Sequence, residues 1–236
     1  LAKVTPISTI QGSDWKSPLQ DSYQLVSGIV THVDPESGYF IEQTGNGQAG
    51  NASRGLFIEA HAAASKVDSG QRVVAGGQVV ERGSRRDTMT TLAGVDRFAL
   101  CESDLPMPQT RVQLPLSSKE REALEAMWLE FPQELHVSDV YSHYRGKLTL
   151  STGSDLRVPT EDFPPGEKAD SQARDNRDAS INVHSTAFEL LPTKVGRPVE
   201  KIGGVMGHDG REQLLLLTPR DWKASTPPAP VAAAPG

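Results

Sequence analysis

Three arginines, Arg82, Arg85 and Arg86, crowd the stretch Arg-Gly-Ser-Arg-Arg-Asp, and guanidinium groups held that close can grip phosphates through paired N–H donors. Arg54 and Arg72 add to the same face if the chain brings them there. The competing reading is a solvated hairpin whose charges touch nothing. Tyr39, Phe40 and Phe57 offer a second chemistry, because bases stack on exposed aromatic rings. Strict alternation separates them: Phe40 and Phe57 share a face with Glu42 and Glu59, whereas Tyr39, Ile41, Leu56 and Ile58 point to a core. Glutamates beside a stacking ring repel phosphate, which weighs toward a core or rim role for both phenylalanines. Tyr141, Tyr144 and Arg145, with His136 and His143 nearby, form a third cluster, read either as a binding loop for sugar or base or as a turn packed by its tyrosines. The two histidines lack the cysteine or carboxylate spacing of a zinc site, so no metal ligand is assigned. Cys101 has no histidine partner and is expected to be buried. The carboxylates of 119–130 read as the solvated face of a short helix, and no catalytic residue is assigned.

These groups need a scaffold of 236 residues with a net charge of −6, too acidic for a chain coated in phosphate-binding surface, so any nucleic-acid site must be local. That length suits two small domains. One cysteine excludes an internal disulfide framework. No apolar run approaches the roughly 20 residues of a bilayer helix, so no membrane segment is expected. A start at Leu1 without a charged-then-apolar leader suits a mature or trimmed product.

Turn residues divide the first hundred positions into five strands, 23–33, 38–43, 55–59, 71–81 and 88–100, with a helical turn in Ala-rich 60–67. The order β-β-β-α-β-β is that of an OB-fold, a five-stranded Greek-key barrel that binds oligonucleotides or oligosaccharides, and the arginine turn falls in its last loop. A turn followed by a strand with paired glycines occurs at 67–79 and again at 194–206, where His208–Gly210 then reads as a hairpin into 213–217. The repeat predicts an all-β protein of two tandem OB-like five-stranded barrels with short helices. The first covers 1–103; a linker at 104–116 carries three prolines; the second covers 117–223. Ser117 and Glu120 form a capping-box signature that opens a short helix. Polar 159–180 is expected to be an irregular loop, and 224–236 a Pro/Ala-rich linker or tail.

Several phrases then carry a resemblance: Ile7-Ser-Thr-Ile-Gln-Gly12, Val26-Ser-Gly-Ile-Val-Thr31, Gly38-Tyr-Phe-Ile-Glu-Gln43, Gly55-Leu-Phe-Ile58, Glu130-Phe-Pro-Gln133 and Tyr144-Arg-Gly-Lys-Leu-Thr-Leu-Ser151. In this order they resemble the non-catalytic N-terminal OB-fold region of secreted bacterial extracellular endonucleases, whose C-terminal catalytic domain is DNase I-like. The resemblance implies binding of DNA or RNA, a nuclease domain in cis, and a secreted, extracellular or periplasmic location. It implies magnesium only in the catalytic domain, and no cofactor in this segment. The family's catalytic Ser-Asp-His does not occur: the pairs Ser13-Asp14, Ser103-Asp104, Ser138-Asp139 and Ser154-Asp155 precede Trp, Leu, Val and Leu. Where relatives carry an acidic, calcium-competent loop, 44–51 has no carboxylate. The rival reading is a module for polysaccharide or for a protein partner, which salt dependence separates from nucleic-acid binding.

Overall fold

In the computed structural model, the described residues are 3–44, 52–60, 66–84, 87–153, 156, 163–185, 194–209, 212–217 and 222–224. The expected turn at 60–67 and the tail at 224–236 lie largely outside them, as do Arg85 and Arg86. The protein is all-β, with a few short helices. A short helix α1 (Ile7–Gln11) precedes β1 (Tyr23–Asp34), β2 (Gly38–Glu42), β3 (Gly55–Glu59), β4 (Arg72–Ser84) and β5 (Asp87–Glu102). These five strands sit within a few residues of the sequence expectation. They close a barrel in the order β1-β2-β3-β5-β4, with β3 and β5 parallel and all other neighbours antiparallel, which is the OB arrangement. Alternation fills its interior: Tyr39, Ile41, Leu56 and Ile58 pack with Val26, Val30, Val73, Val79 and Leu92, and α1 plugs one end with Ile7 and Ile10.

The second sheet contains β6 (Thr110–Arg111), β7 (Trp128–Phe131), β8 (Leu135–Asp139), β9 (Lys147–Ser151), β10 (Ser180–Ser185), β11 (Pro198–His208), β12 (Gln213–Leu217) and β13 (Trp222–Ala224). Pro132 cannot donate a ladder hydrogen bond, so β7 and β8 are two pieces of one bent first strand. Pairings β8–β9, β9–β10, β10–β12, β12–β11 and β11–β8 then close a second ring in which only β10–β12 is parallel. With β7/β8 as strand one, this ring repeats the first barrel's order. The paired glycines fall in strand four of each ring, β4 and β11. A Cβ on Gly77 would strike the Ala93 carbonyl of strand five, and one on Gly204 the Leu216 carbonyl of strand five, so one close approach explains the repeated phrase.

The 104–116 segment packs onto the second barrel: β6 pairs with β7, and Leu114 and Leu116 join its core. Helix α2 (Ser118–Glu122) starts on a complete capping box, with Ser117 Oγ accepting from the Glu120 N–H and Glu120 Oε2 accepting from the Ser117 N–H at 2.8 Å. Residues 159–180 are not irregular throughout, as the sequence reading has it, because Glu167–Asp178 form helix α3. Only Ala169 of that helix is buried, so no apolar stripe marks it in the sequence. Acidic Glu167 and Asp170 in its first turn, Arg177 in its last and a Gln172–Asn176 hydrogen bond support it locally. Arg121 fastens its end, donating to the carbonyls of Arg177 at 2.8 Å and Ser180 at 2.6 Å.

Candidate ligand-binding surface

The outward face of strands two and three is where an OB barrel binds its ligand. In the first barrel that face is covered. Phe40 is 2% exposed and Phe57 8% exposed; they pack with Met89 against Ala126, Trp128 and Val205 of the second barrel, their ring centroids 4.8 Å apart. Neither phenylalanine can stack on a ligand, which corrects their placement as nucleic-acid-binding residues. Alternation assigned the right face, but the second barrel, not solvent or ligand, lies over it. Arg54 Nη2 is 3.3 Å from Glu42 Oε1 and from Thr110 Oγ1, and so ties the same junction together. Arg82 is exposed but paired with Glu59 at 2.7 Å, and Arg72 with Glu102 at 3.3 Å. Arg54 and Arg82 thus do not converge on one phosphate-sized site. Cys101, expected in a core, is exposed near the end of β5.

The junction also buries acid. Glu42 Oε2 accepts the Trp128 N–H at 3.1 Å, and burial drives this carboxyl up to about 6 against the opposing pull of that bond and of Arg54. Glu125 accepts from the Thr90 N–H at 2.9 Å and from Gln11 Nε2 at 3.2 Å; burial, then the like charges of Glu122 and Glu81, hold it well above the usual carboxylate range. The solvated-face reading of 119–130 therefore fails at Glu125. It fails also at Glu130, whose carboxyl is held low by Lys201 at 2.8 Å and Arg111 at 3.1 Å. The helix ends at Glu122, and the following turn is pressed between the barrels.

A raised folded-state carboxyl binds its proton more tightly folded than unfolded. Its contribution to stability therefore grows as pH falls from about 6 through the unfolded value of 4.5, and is lost as pH rises again. Denaturant titrations of wild type and Glu42→Gln at pH 7 and pH 4 should show the variant losing about 2 kcal/mol relative to wild type at the lower pH. A constant difference between the two proteins would show that Glu42 titrates normally.

The second barrel keeps its strand-two and strand-three face open. Leu148 and Leu150 of β9 and Ile181 and Val183 of β10 point into the core, leaving Lys147, Thr149, Asn182 and His184 outward, with Thr149 opposite Asn182 in the ladder. The loop joining strand one to strand two leaves β8 through an Asp139 turn, whose carboxylate accepts the Tyr141 N–H at 2.6 Å. It closes as a 3-10 turn over His143–Arg145, capped by Gly146 in the left-handed region at φ 74°. Tyr141 is 84% exposed and Tyr144 64%, and the Arg145 guanidinium lies 5.1 Å from the centre of the Tyr144 ring.

Beneath this loop is a cleft of about 210 Å³ lined by Asp139, Ser142, Lys147, Thr149, Asn182 and Glu212. Neither a known family model nor a curated protein matches this chain. The cleft's own chemistry is polar and ordered. Asn182 accepts from Thr149 Oγ1 at 2.8 Å and donates to Glu212 Oε2 at 2.8 Å, so its amide is oriented. Lys147 is paired with Asp209, and burial followed by the Lys147 charge pushes the His184 pKa down. Among the described residues no group of three or more His, Cys, Asp or Glu is disposed to hold a metal, and no helix is long and apolar enough to cross a membrane. Of the residues singled out from sequence, Tyr141, Tyr144 and Arg145 share the loop whose Ser142 lines this cleft, and none of the three is itself in its wall. Asp139, Thr149, Asn182 and Glu212 were missed, although alternation in Lys-Leu-Thr-Leu-Ser and Ser-Ile-Asn-Val-His-Ser places Thr149 and Asn182 on the outer face.

Proposed function

We propose that this chain is a non-catalytic nucleic-acid-binding region that takes single-stranded DNA or RNA on the second barrel, by base stacking on Tyr141 and Tyr144. The observation that carries this reading is the pair of exposed tyrosines with Arg145 on the loop between strands one and two, beside an open strand-two and strand-three face. In the setting that the sequence resemblance implies, an extracellular endonuclease, the barrels hold the substrate strand for a magnesium-dependent domain elsewhere in the protein. The first barrel then serves as the platform onto which the binding barrel docks.

Fluorescence anisotropy with a labelled 12-nucleotide single strand tests the reading. Tyr141→Ala and Tyr144→Ala should each weaken binding about 10- to 100-fold, and Arg145→Ala should weaken it less at high salt than at low salt. Unchanged affinity in both tyrosine variants would overturn it. A second reading, an uncharged oligosaccharide ligand, is favoured by Asp139 and Glu212 in the cleft wall, which repel phosphate and accept sugar hydroxyls. Binding that is indifferent to salt and competed by oligosaccharide would select it.

A further inference from the structure

The cleft under the tyrosine loop does not end at Asn182 and Glu212. Both residues also line a second cleft, about 530 Å³ in volume, which runs between the barrels past Ser118, Glu122 and Arg177 to Trp15. Trp15 comes from the segment that follows α1 of the first barrel and is 39% exposed. Its surroundings are fixed from two sides: its carbonyl accepts from Thr88 Oγ1 at 3.3 Å, and Glu81 Oε1 accepts the nearby Ser17 N–H at 2.8 Å. The two clefts therefore adjoin as one trench, walled at one end by Ser142 of the loop that carries Tyr141 and Tyr144 and at the other by Trp15.

Of the three cations that line the trench, Arg121, Lys147 and Arg177, two are already engaged. Arg121, on its wall, donates to the carbonyls of Leu116, Arg177, Asp178 and Ser180, and Lys147 is paired with Asp209. Acceptors are plentiful: the carboxylates of Asp139, Glu122 and Glu212 all line it. A strand with its phosphates on this floor would meet repulsion, whereas one with its bases inward would offer exocyclic amino groups to the carboxylates. Carboxylates accept from the amino group of cytosine, and thymine has none.

We propose that the trench from Tyr141 to Trp15 is one extended binding path for a single-stranded nucleic acid lying with its bases inward, with Trp15 as a second stacking platform and a preference for amino-bearing bases. This rests on the nucleic-acid reading above and extends it to the first barrel.

The test uses the full chain and labelled dC12, dT12 and dC4. Wild type should bind dC12 about tenfold more tightly than dT12. Trp15→Ala should weaken dC12 about tenfold and weaken dC4, which has fewer bases to occupy both platforms, less. Ser118→Leu, which adds bulk without a ring or a charge at an exposed position on the trench wall, should weaken dC12 in the same way and covers the case in which Trp15→Ala misfolds by circular dichroism. Equal binding of dC12 by wild type, Trp15→Ala and Ser118→Leu, with loss only in the tyrosine variants, would overturn the trench and leave the proposed function standing. Failure of wild type to bind any strand would overturn both. Salt-insensitive binding of an uncharged oligosaccharide that Trp15→Ala abolishes would keep the path and overturn its assignment to nucleic acid.

Discussion

Gly55→Ala is expected to lower the stability of the protein by about 3 kcal/mol or more, at or above the upper end for overpacking a close-packed interior. Gly55 begins β3 and faces the turn that precedes β7. A Cβ there would land on the Ala126 carbonyl and 2.6 Å from the Met127 nitrogen, so the obstacle is backbone rather than a side chain that can rotate away. That backbone cannot retreat, because the Ala126 N–H donates to the Met206 carbonyl at 2.7 Å and the Met206 N–H donates to the Met127 carbonyl at 3.0 Å. Gly55 cannot retreat either: its carbonyl accepts from Gln11 Nε2 at 2.7 Å and its N–H donates to Ser53 Oγ at 2.9 Å. Chemical denaturation measures the loss, with Gly153→Ala as control, since a Cβ at Gly153 meets nothing within 4 Å and should change stability by no more than about 0.5 kcal/mol. Equal midpoints for Gly55→Ala and wild type would mean that the barrels do not approach this closely in solution.

Phe40→Ala and Tyr141→Ala should have crossed effects. Phe40 sits between Phe57 and His32 in the seam between the barrels, with centroids 4.8 and 5.9 Å away, and truncating a buried phenylalanine costs about 3 to 5 kcal/mol. Tyr141 is almost wholly exposed, so its removal should leave stability within about 0.5 kcal/mol of wild type while binding falls. Measured under conditions where both variants are folded, ligand affinity should be unchanged in Phe40→Ala. Wild-type stability combined with weakened binding in that variant would return Phe40 to the role that its sequence context offers, a ring facing ligand.

The two barrels share one topology but not one use of it. In the first, the outer face of strands two and three carries phenylalanines and a buried carboxylate, and the second barrel docks there. In the second, the equivalent face carries lysine, threonine, asparagine and histidine, which tolerate water. Burying Glu42 and Glu125 in the junction costs desolvation that apolar residues would not incur, and the hydrogen bonds they accept from Trp128, Thr90 and Gln11 select one docking geometry over others.

Local signals decided much of the architecture from sequence. Alternating Tyr39, Ile41, Leu56 and Ile58, the glycine pairs of β4 and β11, and the Ser117–Glu120 capping box each depend on contacts within a strand, between adjacent strands or within one helical turn, and each lies where that local rule puts it. The tyrosine loop was legible as polar and aromatic, but its position between strands one and two of the second ring required the pairing of β8 with β9. Only the tertiary structure decided what covers each face. Alternation says that Phe40 and Phe57 point away from their own barrel's core, and it is silent on whether water, ligand or a second barrel lies beyond. The same holds for Glu125, polar in composition yet buried by a neighbour distant in sequence, and for α3, stabilised locally and fastened by Arg121 with little apolar periodicity to reveal it. Trp15 stands apart from the tyrosine loop by more than a hundred residues, and nothing in the spacing of the chain relates them; the docking of one barrel on the other puts Trp15 in a cleft that shares Asn182 and Glu212 with the cleft walled by Ser142 of that loop.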